Sequence, residues 1–118
     1  RRARVTALNW GGASIVALPG EIFAETALEI RERLAPKDPL FILAYADDNP
    51  GYIPPASDYL RGGYEIDEAH RFYGLGATVA PRTAEHLAQA GCKSAKMARV
   101  LAAQTQPTKI RVTQGGKS

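Results

Sequence analysis

Many of the residues and motifs that carry chemistry in small proteins are missing from this sequence. Its 118 residues include one cysteine, Cys92, which excludes an internal disulfide and a cysteine-based zinc finger. Apolar runs of about 18 residues are absent, so no transmembrane helix is expected. The Gly-x-Ser-x-Gly elbow, the Walker loop and the His-Glu-x-x-His motif are absent too. The two histidines, His70 and His86, stand sixteen residues apart, which is poor spacing for a metal site, so we expect packing or surface roles for both.

Acidic residues are missing from the C-terminal quarter of the chain. Residues 91–118 hold six Lys or Arg and no acid, whereas residues 1–90 hold nine basic and twelve acidic side chains. We therefore divide the chain into a domain at 1–90 and a basic tail at 91–118, partly helical or disordered. Within the tail, Lys109 to Thr113 is read either as an edge strand or as disordered. A solubilising tail is favoured over one that binds an anionic partner, and no nucleic-acid binding is expected.

The first half of the chain has the pattern of an α/β fold. Two short strands, Val5–Leu8 and Ser14–Leu18, flank a Gly-Gly turn and are expected to pair as a hairpin or lie side by side. Trp10 either lines a pocket or packs in the hairpin, and packing is favoured. An amphipathic helix is predicted over 21–35, and Pro36 ends it. The apolar run Leu40 to Ala46 then reads as a parallel strand buried on both faces.

Strand, helix and strand in this order form a βαβ unit. The predicted fold is therefore α/β, a mixed sheet with flanking helices. Because there is no initiator Met and the chain begins almost inside a strand, we also expect it to be an incomplete portion of a larger domain. Because the two parallel strands point the same way, Glu21 and the stretch 47–52 should meet at one edge of the sheet. An incomplete sheet should also leave an apolar, unpaired strand edge as an association surface.

Three polar features near that edge each allow two interpretations. Glu21 follows a Pro-Gly turn and is either a helix cap or a functional carboxylate on the rim of the sheet. Asp47-Asp48 is either a solvated turn or a site for a hard cation. The tyrosines Tyr52, Tyr59 and Tyr64 either pack at the rim or supply phenol ligands and hydrogen-bond donors.

The second half has weaker patterns. Tyr64 to Ile66 is predicted to be a short extended segment, and residues 67–81 are predicted to be irregular. Thr83 is a plausible N-cap for a helix from Ala84 to Ala90, with a continuation to Ala103 as the alternative.

The motifs of residues 14–74 resemble the neutral, non-lysosomal ceramidases, most closely their shorter bacterial members. The resemblance is to the C-terminal part of the catalytic domain. It is carried by the order of four motifs: Val16-Ala17-Leu18-Pro19-Gly20-Glu21, Gly51-Tyr52-Ile53-Pro54, Tyr59 and Gly63-Tyr64-Glu65.

The resemblance implies a zinc-dependent enzyme that hydrolyses the N-acyl amide bond of a ceramide-like lipid. It implies that Glu21 and Tyr52 ligate Zn²⁺ and that Tyr64 lies near the scissile carbonyl as a catalytic residue. It also implies two histidine ligands upstream, so the remainder of the catalytic domain is an expected partner and this chain alone is expected to be inactive. A membrane-surface contact follows from the lipid-like substrate. The competing hypothesis is a non-catalytic α/β binding module whose basic tail contacts an anionic partner.

Overall fold

The computed structural model describes residues 2–105, and these begin with a β-hairpin. Strand β1 (Thr6–Trp10) pairs antiparallel with β2 (Ala13–Ala17). Gly11 and Gly12 join the strands with φ of 57° and 89°. Positive φ at both central residues is what a tight primed turn requires, and glycine adopts it without a steric penalty. The two adjacent strands are thus as predicted, although Trp10 is 77% exposed rather than packed in the hairpin.

The predicted βαβ unit is present and gives the chain a mixed α/β fold. The next elements along the chain are β3 (Glu21–Ile22), α1 (Ala24–Leu34) and β4 (Leu40–Leu43). β4 pairs in parallel with β2, from Ser14 opposite Leu40 to Ala17 opposite Leu43. The strand order β1-β2-β4 puts β2 in the centre of a three-stranded sheet.

A second, two-stranded sheet extends the parallel pairing. β5 (Tyr52–Ile53) pairs with β3, placing Glu21 opposite Tyr52. A 3-10 turn (Ala56–Asp58), the short helix α2 (Tyr64–Asp67) and a second 3-10 segment (Ala69–Tyr73) follow. The long helix α3 (Thr83–Gln104) ends the described part of the chain.

Both long helices cover the same face of the three-stranded sheet. Val16 and Leu18 from the β2 segment, Ile30 from α1 and Ala88 from α3 are fully buried in one core. The approach of α3 is close at Gly91, where an added Cβ would lie 3.0 Å from Val16 Cγ1. The small residue lets the helix backbone lie directly on the central strand.

Four further local predictions, which concern Glu21, Tyr64, Thr83 and β4, were wrong. Glu21 lies in strand β3 and not in a helix, and the helix N-cap is Phe23, which makes no side-chain capping bond. The cap interpretation of Glu21 is thereby excluded. Tyr64 begins the helix α2 instead of an extended segment. Arg82, with φ of 71°, is the N-cap of α3, and Thr83 instead donates its hydroxyl to the Ala80 carbonyl at 2.6 Å.

The fourth wrong prediction concerns β4. The strand ends at Leu43 because Tyr45 and Asp47 take left-handed φ values of 58° and 63°, which break the ladder. Nor is it buried on both faces, since Phe41 is 54% and Leu43 49% exposed. Among residues 2–105, β4 is an edge strand, and the helices cover only one of its faces.

Residues 91–104 of the predicted basic tail belong to α3, where Gly91, Cys92 and Ala95 are buried. The segment Lys109 to Thr113 lies outside the described residues. Within residues 2–105, no helix is both long enough and apolar enough to cross a membrane.

We predict that Gly20→Ala destabilises the fold by about 2–4 kcal/mol, because it adds strain at φ of 71° to a clash. The new Cβ would lie 2.7 Å from the Gly51 carbonyl oxygen and 2.8 Å from Ile53 Cδ1. Gly11→Ala is the matched control, with φ of 57° and no atom within 4 Å, and should cost only about 1 kcal/mol. Urea unfolding measures both, and equal losses would contradict the contact between Gly20 and Gly51.

Candidate functional site

The Pro19-Gly20-Glu21 turn lies against the segment that follows β4. The Gly20 N–H donates to the Asp48 carbonyl and the Glu21 N–H to the Gly51 carbonyl, both at 2.9 Å. In the opposite direction, the Tyr45 N–H donates to the Gly20 carbonyl at 2.9 Å. The predicted meeting of Glu21 with residues 47–52 is confirmed. We call this edge, formed by Glu21, Tyr45 and Tyr52, the rim.

Glu21 and Tyr52 are register partners in the parallel pair β3–β5. Paired residues of adjacent strands project on the same side of a sheet, so the carboxylate and the phenol share one side of the rim. The negative charge of Glu21 is the main reason that the pKa of Tyr52 is raised, with partial burial adding to it. The Glu21 carboxylate therefore disfavours the phenolate form of Tyr52.

Aromatic rings surround Tyr52. Phe23 and Tyr64 each meet its ring edge-to-face with centroids 6.3 Å apart, and Tyr73 does so at 6.5 Å. Phe72 in turn lies 6.3 Å from Tyr64. Edge-to-face pairs at this separation are favourable, each by about 0.5–1.5 kcal/mol. The cluster brings the predicted residues Tyr52 and Tyr64 together.

Tyr73 reaches this cluster because Gly51 has no side chain. A Cβ at Gly51 would lie 2.7 Å from Tyr73 Cδ2, so the phenol ring rests directly on the glycine backbone. Nothing local in the sequence signals this contact, which joins residues far apart in the chain. Sequence reasoning therefore missed Tyr73.

Tyr45 is a second residue that sequence reasoning missed. Partial burial, followed by a hydrogen bond to Glu21, raises the pKa of Tyr45. Its left-handed backbone, with φ of 58°, is uncommon for a residue with a large side chain and concentrates at functional sites. The prediction of a strand over 40–46 treated Tyr45 as an ordinary strand residue, so the sequence did not indicate its left-handed backbone or its hydrogen bond to Glu21.

Tyr59, the third tyrosine of the predicted set, is an anchor rather than a rim residue. Its hydroxyl donates to the Val79 carbonyl at 2.6 Å, and burial raises its pKa. Beside it, the Ala56 N–H donates to Glu85 Oε1 at 2.8 Å. These two hydrogen bonds hold the segment between β5 and α2 against α3 and the loop that precedes it.

The acidic turn and the histidines lie in other settings. The Asp48 carboxylate accepts the Asn49 N–H at 2.9 Å, and Asn49 Oδ1 accepts the Gly51 N–H at 3.2 Å, so these side chains shape the turn. His70 is half-buried, with Nδ1 shielded from solvent and lacking a hydrogen-bond partner. His86 is exposed on α3. Among residues 2–105, no three His, Cys, Asp or Glu side chains form a group that could hold a metal ion.

The rim fits part of a zinc site. Glu21 offers a carboxylate and Tyr52 a phenol oxygen on the same side of one strand pair. Zinc in proteins takes four ligands, of which a catalytic site leaves one to water. The residues of the rim can therefore supply two ligands, and a complete site needs more from outside the described chain.

An apolar cavity of about 320 Å³ lies behind the rim, with Pro19, Pro50, Ile53, Val79 and Leu87 among its lining residues. Neither Glu21 nor Tyr52 is among the residues that line it. Ile53 follows Tyr52 in β5 and so projects to the opposite side of the strand. The carboxylate and the phenol thus belong to an open edge and not to this cavity.

No family model, no curated protein and no solved structure matches this chain.

We predict that Glu21→Gln lowers the pKa of Tyr52 and of Tyr45, because it removes the carboxylate that disfavours both phenolates. Glu25→Gln, in the first turn of α1, is the control and should leave both values unchanged. NMR chemical shifts of the tyrosine rings, followed between pH 8 and 12, report the titrations, because the ordinary pKa of tyrosine is about 10. Unchanged titration of Tyr52 in Glu21→Gln would show that the two side chains do not interact.

Proposed function

We propose that this chain is part of a zinc-dependent amidohydrolase that cleaves the N-acyl bond of a ceramide-like lipid. One observation carries the proposal: Glu21 and Tyr52 are paired on one side of β3–β5, and Tyr64 packs on Tyr52. These are the three residues that the ceramidase-like motifs assign to metal binding and catalysis. Their convergence from separate segments of the chain supports a common site.

Glu21 and Tyr52 are assigned as zinc ligands. Both stand on strands whose backbone is hydrogen-bonded on the rim, which suits residues that must keep a fixed geometry. When zinc is bound, it supplies a water molecule that is ionised near neutral pH and can attack an amide carbonyl. The chain's own contribution is to place two oxygen ligands beside each other.

A tyrosine phenol ionises only near pH 10, so Tyr52 would need a nearby cation to act as a phenolate ligand near neutral pH. The Glu21 charge raises the pKa of Tyr52 and adds to that requirement. A nearby positive charge acts in the opposite direction and favours the phenolate. Tyr52 would then release its proton to solvent when a cation binds, and metal affinity should rise with pH.

Tyr64 is assigned as the residue that stabilises the transition state. Its ring meets the Tyr52 ring with centroids 6.3 Å apart, and the residue is 49% exposed. A neutral phenol donates one hydrogen bond to the oxygen that gains charge when the amide carbonyl is attacked. One such donor contributes roughly 3 kcal/mol to transition-state stabilisation.

The proposal requires two further ligands. The motifs place them as histidines in an upstream part of the catalytic domain, which is thus a partner of this chain. A lipid-like amide is the proposed substrate, and contact with a membrane surface follows from its insolubility. The chain alone is then inactive and binds zinc weakly.

A second candidate is a binding module for an anionic partner. The exposed residues Lys93, Lys96 and Arg99 stand three residues apart along α3 and form one basic row. Binding of anionic vesicles that weakens with salt and is lost in Lys93→Glu/Lys96→Glu would favour this candidate.

We predict that the chain binds zinc weakly and that this binding depends on both Glu21 and Tyr52. Isothermal titration with zinc should show loss of binding in Glu21→Ala and in Tyr52→Phe, which keeps the ring and removes the hydroxyl. Tyr73→Phe removes a neighbouring hydroxyl that is assigned no ligand role and is the control. Equal binding by Tyr52→Phe and the original chain would contradict the site. Chelator-sensitive amidase activity of the 118-residue chain by itself would overturn the requirement for further ligands.

We predict that in the complete enzyme Tyr64→Phe lowers kcat by about 10²-fold on an N-acyl amide, with a small effect on KM, since one oxyanion donor is lost. Tyr73→Phe should stay close to the original rate. Release of fatty acid from a fluorescent ceramide analogue measures both. An equal effect of the two variants would remove Tyr64 from the catalytic assignment.

A further inference from the structure

The three-stranded sheet has two faces of different character. Ala7, Val16 and Ile42 are cross-strand partners and belong to the core under α1 and α3. Side chains alternate along a strand, so the next row, Leu8, Ile15 and Phe41, projects to the opposite side. None of this second row is part of the buried core.

That opposite side is apolar and exposed. We call it the open face and define it by Leu8, Trp10, Ile15, Phe41 and Leu43. Trp10 is 77%, Phe41 54%, Leu8 52% and Leu43 49% exposed. No helix of the described residues covers it. These four side chains alone expose roughly 500 Å² of apolar surface, at the upper end of what one patch on a monomer shows.

The area reaches the minimum for pairing with an identical face. Two copies would bury up to roughly 1,000 Å² from these side chains, which is about the smallest area expected of a specific interface. A pairing of this size gives a reversible dimer and not a permanent one.

The composition of the open face also suits a second copy. The strands β1, β2 and β4 contain no charged residue, so identical faces meet without like charges opposite each other. A twofold axis makes such a contact self-complementary and closed, which limits assembly to two copies. Two twisted sheets pack face to face at about 10 Å with their strands near −30°.

We propose that the open face is the interface of a homodimer, in which the sheets of two copies of this chain pack face to face. This inference goes beyond the proposed function and does not depend on it, since the face lies on the sheet and not among the rim residues. In the dimer Trp10 and Phe41 are shielded, and α1 and α3 form the outer layers.

Analytical ultracentrifugation of the 118-residue chain over a concentration series tests the proposal. The original chain should sediment as a dimer at high concentration, and Phe41→Glu should raise the dissociation constant at least 10-fold. Met97→Glu is the matched control, since Met97 is 57% exposed but lies on α3, and should leave the dimer intact. A chain that stays monomeric throughout, or a dimer that dissociates in Met97→Glu and not in Phe41→Glu, would overturn the proposal.

Trp10 provides a second measurement that needs no variant, because it is the one tryptophan of the chain. Its fluorescence should shift to the red and become more accessible to iodide as the dimer is diluted. A dimer in which Trp10 stays as accessible as in the monomer uses another surface, and that result would also overturn the proposal.

Discussion

The rest of the site depends on the close contact between Gly20 and the backbone of Gly51. Both glycines have positive φ, of 71° and 93°, and neither has room for a Cβ. Because neither glycine has a side chain, the segment that continues from β2 into β3 stays paired with the segment that continues from β4 into β5. The connection from Leu43 to Tyr52 is the longer of the two, and its additional residues form the turn that carries Tyr45 and the aspartates.

The same contact explains the electrostatics and the packing of the rim. Pairing of β3 with β5 places a carboxylate beside a phenol, and the carboxylate disfavours the phenolate. Gly51 also admits the Tyr73 ring, and Tyr73 closes one side of the aromatic cluster around Tyr52. The proposed zinc role rests on this pairing of Glu21 with Tyr52.

The open face follows from the one-sided cover of the sheet. α1 and α3 lie on the same side, so Val16 is buried while Phe41, on an edge strand, is exposed. Among the described residues both β1 and β4 are edge strands of this sheet, but the larger apolar surface is the sheet face itself. The catalytic proposal concerns the end of the strands and the dimer proposal concerns their face, so each can stand if the other fails.

The sequence by itself determined the βαβ unit, the tight Gly-Gly hairpin and the meeting of Glu21 with residues 47–52. These follow from local periodicity and from the fixed direction of parallel strands, which need no knowledge of distant contacts. Only the tertiary structure decided that Glu21 lies in a strand, that β4 is an exposed edge and that Tyr64 is helical. It also decided that Tyr45 lies at the rim, that Tyr73 joins the aromatic cluster and that Tyr59 belongs to neither. The pairing of Glu21 with Tyr52 and the contacts of Tyr45, Tyr59 and Tyr73 join segments far apart in the chain, so the pattern of neighbouring residues does not indicate them.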